Sequence, residues 1–462
     1  MIKWTLNISM FLLMLATAGA CKKDAPLPDN LAAFESNSLG ISETESSVDL
    51  LIRLSRAVEN DVSIIVQTTP EGVAYGTQYT TTPAASSGTI NVTVPKGEKE
   101  AVIRVAKAAD ALFDGEEKIL FKIQSVSDPV LVGTNSELTL SFSEILAEEA
   151  EVEVNGGGTE FGNSVYIDLS ANRQTPVDRA KWDLGFYSGE DFRVILNYAT
   201  GMMARALDKN DLNQVTAADT ANFDQEMSFS AFSLDALPYI DYPDGDLSKT
   251  AIAAISATAA ENKVYIINRG TGVGTPAPAR GWKKIRVIRN ATGGYTLQHA
   301  DIAATSFSEI QVDKSDTHFF TYTSFENGIV NVAPEKHKWD IAWTFFSNVT
   351  SYMGGEIPYT FQDFIIQNRD VQTAMVLTSA VSFENFGEAN LAGLTFNAKQ
   401  NGIGGDWRAG GGPGSAPAVR TDRFYIIKDA DGNYYKLKFT GLTKDGERGH
   451  PSFEHVLVKK GA

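Results

Sequence analysis

Five short stretches recur in the same order within one chain. The first pass reads SVYIDLS, KWDLGF, DFRVILN, KVYIINR and WKKIRVIRNATGGYTLQ; the second reads FFTYTSF, KWDIAW, DFIIQN, RFYIIKD and NYYKLKFTGL. Each alternates apolar and polar residues or is rich in β-branched and aromatic side chains, the pattern of strands. Shared order, beyond the Lys-Trp-Asp common to residues 181–186 and 338–343, argues for duplication. It confines residues 163–310 and 311–462 to two related β units. Two arrangements satisfy it, two sandwiches side by side or two halves of one larger body. Units of about 150 residues are large enough for cores of their own, which favours two packed domains. A strand through either hexamer puts Trp182 with Leu184, and Trp339 with Ile341, on one face, with Asp183 and Asp340 opposite. The Trp then anchors a core, and the Asp is free to bond a neighbouring turn.

Residues 34–146 are also strand-like. VDLLIRLS, VSIIVQTT, GTINVTVP, KEAVIRVAK and EKILFKIQSV alternate and are separated by Gly, Pro, Asn, Asp and Ser, as in an immunoglobulin-like sandwich. This segment resembles a Calx-beta domain, through Glu43, GVAYGTQY (72–79), VPKGEKEAVIRV (94–105) and DALFDGEEKILFKI (110–123). The resemblance implies a calcium site of clustered carboxylates at one end of the sandwich, and Glu43, Asp110, Asp114, Glu116 and Glu117 are the positions to supply it. Gln78 stands where the family pattern has Asp, a loss of charge that favours solvated loop acids. Residues 147–162, AEEAEVEVNGGGTEFG, carry an acidic run and a glycine triplet and read as a linker. The whole chain is thus expected to be all-β, a Calx-beta-like sandwich followed by a duplicated β domain.

The N-terminus sets the compartment. Residues 1–21 contain Lys3, an apolar stretch and the small residues Ala18, Gly19 and Ala20 before Cys21, the single cysteine of the chain. That is a signal peptide, too short for an ordinary membrane span. Its end resembles the bacterial lipobox, with Ala18 in place of the usual Leu. The resemblance implies lipidation of Cys21 and an exported protein held on the membrane by lipid, with residues 22–33 as tether. A mature chain of this kind has no free thiol, so disulfides and thiol catalysis are excluded. The net charge of −17 and the lack of Lys/Arg clusters argue against nucleic acid.

The combination YIDLS, KWDLGF, DFRVILN, VYII and WKKIRVIR, with the later hairpin RFYIIKDADGNYYKLKF, resembles the HmuY family. Those are exported all-β bacterial lipoproteins, several of which bind haem and hand it to an outer-membrane transporter. The resemblance implies a cell-surface, outer-membrane location, haem or a related tetrapyrrole as ligand, and His or Met side chains as its holders. The candidates are Met202 and Met203 after the strand RVILN, Met353 after the equivalent second strand, and His318 and His337. A Met pair across the duplication, Met202 or Met203 with Met353, is the arrangement the repeat suggests. The plainer alternatives are Met as core filler and His as a surface or satisfied residue.

Other chemistry is thin. His450 and His455 in HPSFEH fall on opposite faces of a strand, unsuited to a shared metal. DADGNYY (429–435) has the look of a calcium loop without its full ligand register and is better read as a hairpin turn. GTGVGTPAPARG (270–281) has the wrong glycine spacing for a dinucleotide fingerprint and reads as a flexible loop. The hydrolase Gly-x-Ser-x-Gly and zinc-protease His-Glu-x-x-His motifs are missing, so an enzyme is not expected. Residues 246–262 and 210–227 are weak helix candidates. Trp407, between glycines, with Tyr352 and Tyr359, suggests aromatic loop contacts to a glycan or protein, the rival reading to haem. A spacer role for the front sandwich fits either.

Overall fold

The computed structural model describes residues 28–41, 45–108, 111, 117–142, 149–410 and 416–461. Cys21, Glu43, Asp110, Asp114 and Glu116 lie outside them. The described elements are strands, short 3-10 turns and one α-helix, Phe223–Glu226. The candidate 246–262 resolves into short 3-10 turns, and 210–227 into two such turns followed by the one-turn helix Phe223–Glu226; Asp211 and Asp246 open their turns by accepting from the Asn213 and Ser248 N–H groups. None of the described helices is long and apolar enough to cross a membrane.

The front part is a sandwich of two five-stranded sheets. One runs Tyr79–Thr82, Glu100–Lys107, Ser47–Leu54, Asn30–Phe34, Val130–Val132. The other runs Ser38–Gly40, Glu137–Ser141, Lys118–Val126, Val62–Glu71, Thr89–Val94. Alternation sets the faces: Val62, Ile64 and Val66 point inward between exposed Ser63 and Gln67. They meet Leu50, Ile52, Ile103 and Phe121 in one core, each buried side chain contributing roughly 1.5–3 kcal/mol. The sandwich begins at Asn30, four residues before the expected boundary. Ala32 and Phe34 alternate inward, so the last residues of the expected tether belong to a strand.

The repeated units interlock. The first hairpin of each unit, Asn163–Asp168 with Arg173–Asp178 and Phe320–Ser324 with Gly328–Val330, pairs with the strand after the other unit's Trp-Asp. Asn163–Asp168 runs beside Ile341–Tyr352, and Phe320–Ser324 beside Leu184–Tyr187. Two four-stranded inner sheets of matching order result. The later strands of each unit build a five-stranded outer sheet. The first runs Met203–Ala206, Val264–Asn268, Trp282–Arg289, Tyr295–Ala300, Ser308–Val312; the second runs Gln372–Leu377, Arg423–Lys428, Tyr434–Lys444, Glu447–Lys459, Glu149–Glu153. The boundary at 310/311 therefore marks a repeat in sequence and not a border between bodies. A lone hairpin cannot cover both its faces; exchanged between units, each gains a sheet to join.

The expected linker is partly that edge strand. Ala150 and Val152 alternate inward between Glu149, Glu151 and Glu153, so the acidic run is the solvent face of Glu149–Glu153. Gly156 is a close approach: a Cβ there would overlap the Gly449 carbonyl and the Trp343 ring.

Three cores lie between the sheets of this body, and two more cover the outer faces of its outer sheets. One lies between the second outer sheet and its inner sheet, around Trp343, Tyr425 and Phe453. Another lies between the first outer sheet and its inner sheet, around Leu184, Phe186 and Ile285. The third is an aromatic layer between the two inner sheets. Trp182 and Trp339 belong to that layer, whereas Leu184 and Ile341 belong to the sandwich cores. The shared face expected for each pair is thus corrected: Trp-Asp sits in a bend just before strands that begin at Leu184 and Ile341. The bend repeats closely. Trp182 meets Tyr322 edge-on at 4.9 Å, and Trp339 meets Tyr166 at 5.0 Å. Asn197 Nδ2 donates to the Trp182 carbonyl at 2.7 Å, and Asn368 Nδ2 to that of Trp339 at 2.9 Å.

Candidate functional site

The aromatic layer opens to solvent at one end as a pocket of about 130 Å³. Tyr198, Phe320, Tyr322, Trp339 and Phe346 form its walls, and the 241–247 and 367–369 segments its rim. Burial pushes the Tyr198 hydroxyl up to about 12 and holds that of Tyr322 well above its ordinary range, so both stay neutral donors. Asp241 accepts from the Leu196 N–H at 2.6 Å and the Ala251 N–H at 2.9 Å, which pins the rim to the inner sheet. Burial pushes its carboxyl up to about 7, against the opposing pull of those two N–H groups. Arg369 donates to the Gly245 carbonyl at 3.2 Å and lies over the Tyr187 ring. No described carboxylate pairs with it, so it offers a cation at the rim.

Of the haem-ligand candidates, His318 alone lines this pocket, with Trp339 of the second Trp-Asp element in its wall. Its Nδ1 is held by Thr317 Oγ1 at 2.9 Å and Ser315 Oγ at 3.3 Å. Nε2 is bonded to no described residue. A ring oriented through one nitrogen with the other left over is how imidazole is presented to a metal. The Met pair is not assembled. Met202 is buried in the first sandwich core and Met203 in the layer outside the first outer sheet. Met353 is 84% exposed at a hairpin turn. Alternation along the strand separates the first two, and the turn carries the third into solvent. His337 shares no strand face with Trp339, because the strand starts at Ile341. It stands half exposed, 3.8 Å from Asp370 and 3.9 Å from Asp431.

Trp407 is no loop platform. It is wholly buried, donates from Nε1 to the Asp363 carbonyl at 3.0 Å and stacks on Phe439 at 4.2 Å. The loop 270–281 is also built in: Arg280 reaches back to Asp183 at 2.9 Å. Exposed rings are found elsewhere, where Phe232 lies 6.2 Å from Tyr352 and 6.4 Å from Tyr359. Glu117, the one described calcium candidate, is buried beside Gly72. Among the described residues no three His, Cys, Asp or Glu side chains are grouped so that they could hold a metal ion.

The two Trp-Asp carboxylates have the same frame and different company. The Asp183 N–H donates to the Thr323 carbonyl and its Oδ2 accepts from the Phe325 N–H; Asp340 does the same with Ile167 and Leu169. Asp183 then meets Arg269, Nε to Oδ1 at 2.9 Å and Nη2 to Oδ2 at 3.1 Å. Asp340 is buried beside Asp168 and Asp429, themselves 4% and 5% exposed. Burial first, then the charges of those two, hold its carboxyl well above the usual carboxylate range. Sequence reading passed over Tyr198, Asp241, Arg369, Asp168 and Asp429. Only the last had a local signal, in DADGN; the others are joined by a register that no short stretch shows.

The Apo-form Calx CBD1 domain is 15% identical, with 25% of this chain and 97% of that chain covered and a TM-score of 0.22. A putative carbohydrate binding protein from Bacteroides ovatus is 12% identical, with 94% and 99% covered and a TM-score of 0.18. At such TM-scores these likenesses carry no argument. No curated protein matches the chain. The model of the HmuY protein family matches residues 161–455 in one pass, across both units. More than half of the chain lies in that match, and the chain belongs to the HmuY family.

Proposed function

We propose that the protein is a non-enzymatic, exported lipoprotein that binds haem or a related tetrapyrrole at the cell surface. In this reading Cys21 carries the lipid, the front sandwich lifts the body from the outer membrane, and a haem transporter receives the ligand. The observation that carries it is His318, oriented through Nδ1 with Nε2 unspent, beside an aromatic wall. Haem iron takes such an imidazole, the macrocycle takes an apolar slot, and Arg369 suits a carboxylate on the ligand's edge. The residues present fit a ligand gripped along one edge and held by one imidazole; they do not supply a second His or Met in the pocket. Hemin added to the mature protein should give a sharpened, shifted Soret band that His318→Ala weakens and Met353→Ala leaves alone. A spectrum identical to free hemin removes the proposal. Loss of membrane association in Cys21→Ala cells tests the anchor.

The exposed rings of Phe232, Tyr352 and Tyr359 favour a second reading, a contact surface for glycan or protein. A glycan array with Tyr352→Ala as control tests it, and an array without signal removes the sugar version.

A further inference from the structure

Among the described residues the front sandwich has four edge strands, and one of them differs in kind. Tyr79–Thr82 turns Thr80 and Thr82 outward, Thr89–Val94 turns Asn91 and Thr93 outward, and Ser38–Gly40 exposes nothing apolar. The fourth, Val130–Val132, leaves Leu131 48% and Val132 40% exposed. Its neighbour Asn30–Phe34 adds Leu31, 38% exposed and directly opposite Leu131 in register. Single exposed apolar side chains are ordinary. Here three of the five large ones on the described sandwich share one edge, Tyr75 and Val102 being the others. An open edge is usually blunted with charged residues or proline; Val-Leu-Val has neither.

The place of this edge in the chain says what it meets. Leu31 lies ten residues after Cys21. An extended chain covers at most about 3.3–3.6 Å per residue, so a lipid on Cys21 keeps Leu31 within about 36 Å of the bilayer surface. The body joins at the other end of the same strand. Just past Phe34, Ser36 Oγ accepts from Asn172 Nδ2 at 3.0 Å, and Glu45 meets Arg173 at 2.8 Å. The tether therefore enters at the start of Asn30–Phe34, the body is held past its end, and the exposed leucines stand at the tether end. A strand of three residues gives another chain little backbone to pair with, so this edge presents side chains above all.

We propose that Leu31, Leu131 and Val132 rest in the headgroup layer of the bilayer that holds Cys21, so that the front sandwich stands on the membrane by this edge. The proposal rests on the lipid at Cys21 inferred above. Three side chains would not hold a free protein on a membrane. On a chain already confined beside the bilayer, the second contact is in effect intramolecular and needs little affinity of its own. Its consequence is orientation: the Ser36 end, with the body joined to it, is turned away from the lipid. At headgroup depth the open N–H and C=O groups of the edge still meet water and phosphate oxygens, so the contact strands no backbone group.

The test is amide hydrogen exchange on the mature chain, coupled through its single cysteine, Cys21, to a maleimide phospholipid in vesicles of phosphatidylethanolamine and phosphatidylglycerol. Exchange in residues 29–34 and 129–133 should slow at least about threefold against the uncoupled chain, while the threonine edge Tyr79–Thr82 stays unchanged. Leu31→Ser combined with Leu131→Ser should fold as wild type and lose the slowing. No slowing in the coupled wild type, equal slowing at Tyr79–Thr82, or slowing kept in the double variant overturns the proposal. Slowing that follows protein concentration without vesicles assigns the edge to a second copy and also overturns it. Flotation of the chain as cells make it reads the lipid separately. A chain that does not float, yet slows when coupled, loses the natural anchor and supports the edge contact; one that floats, yet does not slow when coupled, keeps the anchor and loses the contact.

Discussion

The two halves of the body carry the same bend with opposite electrostatics. Around Asp183 the protein supplies Arg269 and Arg280, and Arg269 also pairs with Glu326 at 2.6 Å. Around Asp340 it supplies Asp168 and Asp429. The backbone bonds, the Trp–Tyr contacts and the capping Asn are alike in both halves. The frame therefore does not depend on the charge partner. A duplicated scaffold can keep its geometry through backbone and aromatic packing while one copy buries its Asp against arginines and the other buries it among carboxylates, with Arg173 3.7 Å from Asp168.

The largest expected effect is on the compensated side. Arg269→Met leaves Asp183 buried with half its partners, at a cost of about 3–5 kcal/mol, read from urea denaturation. A change below 1 kcal/mol would mean the pairing is incidental. Next comes the strand that ties the expected linker to the second half. Gly156→Val drives a side chain into Trp343 and the Gly449 carbonyl and should cost about 1–3 kcal/mol, with faster hydrogen exchange in Glu447–Lys459.

His455 sharpens the comparison from the other direction. It pairs in register with Leu437, as His299 does with Ile285 in the first half. His455 is fully buried, with both ring nitrogens unpartnered, and burial drives it down to about 4. A histidine depressed below its unfolded value destabilises the fold as pH drops from about 6.5 toward 4. His455→Leu should add about 1–2 kcal/mol at neutral pH and flatten stability across that acid window. Asp241 has the opposite slope: its raised carboxyl stabilises below pH 4, and that contribution fades as pH rises through about 7. Asp241→Asn should remove this decline. The smallest effect is at Met353, where replacement by Ala should stay within about 0.5 kcal/mol.

The strands were legible because alternation is local. Val62, Ile64 and Val66, or Tyr435 and Leu437, announce their faces within five residues. The duplication was legible because the order of elements survives. The exchange of hairpins was not, since Tyr166 reads the same whichever Trp it meets. The haem candidates near the Trp-Asp elements failed for a related reason. Met202 and Met203 follow the right strand, but alternation sends them into separate cores. His318 reaches the pocket because its segment enters the exchanged hairpin. Val152 in the acidic run shows the converse, a strand concealed by its charged face.

The central claim is that one frame holds two opposite electrostatic environments. Its most direct test is the unfolding free energy at pH 7, in chelator, of wild type, Asp183→Asn and Asp340→Asn. The account predicts a loss of about 3–5 kcal/mol for Asp183→Asn, which takes the carboxylate from buried Arg280 and leaves Arg269 with Glu326 alone, and no loss or a gain for Asp340→Asn. Equal losses in both variants would contradict it.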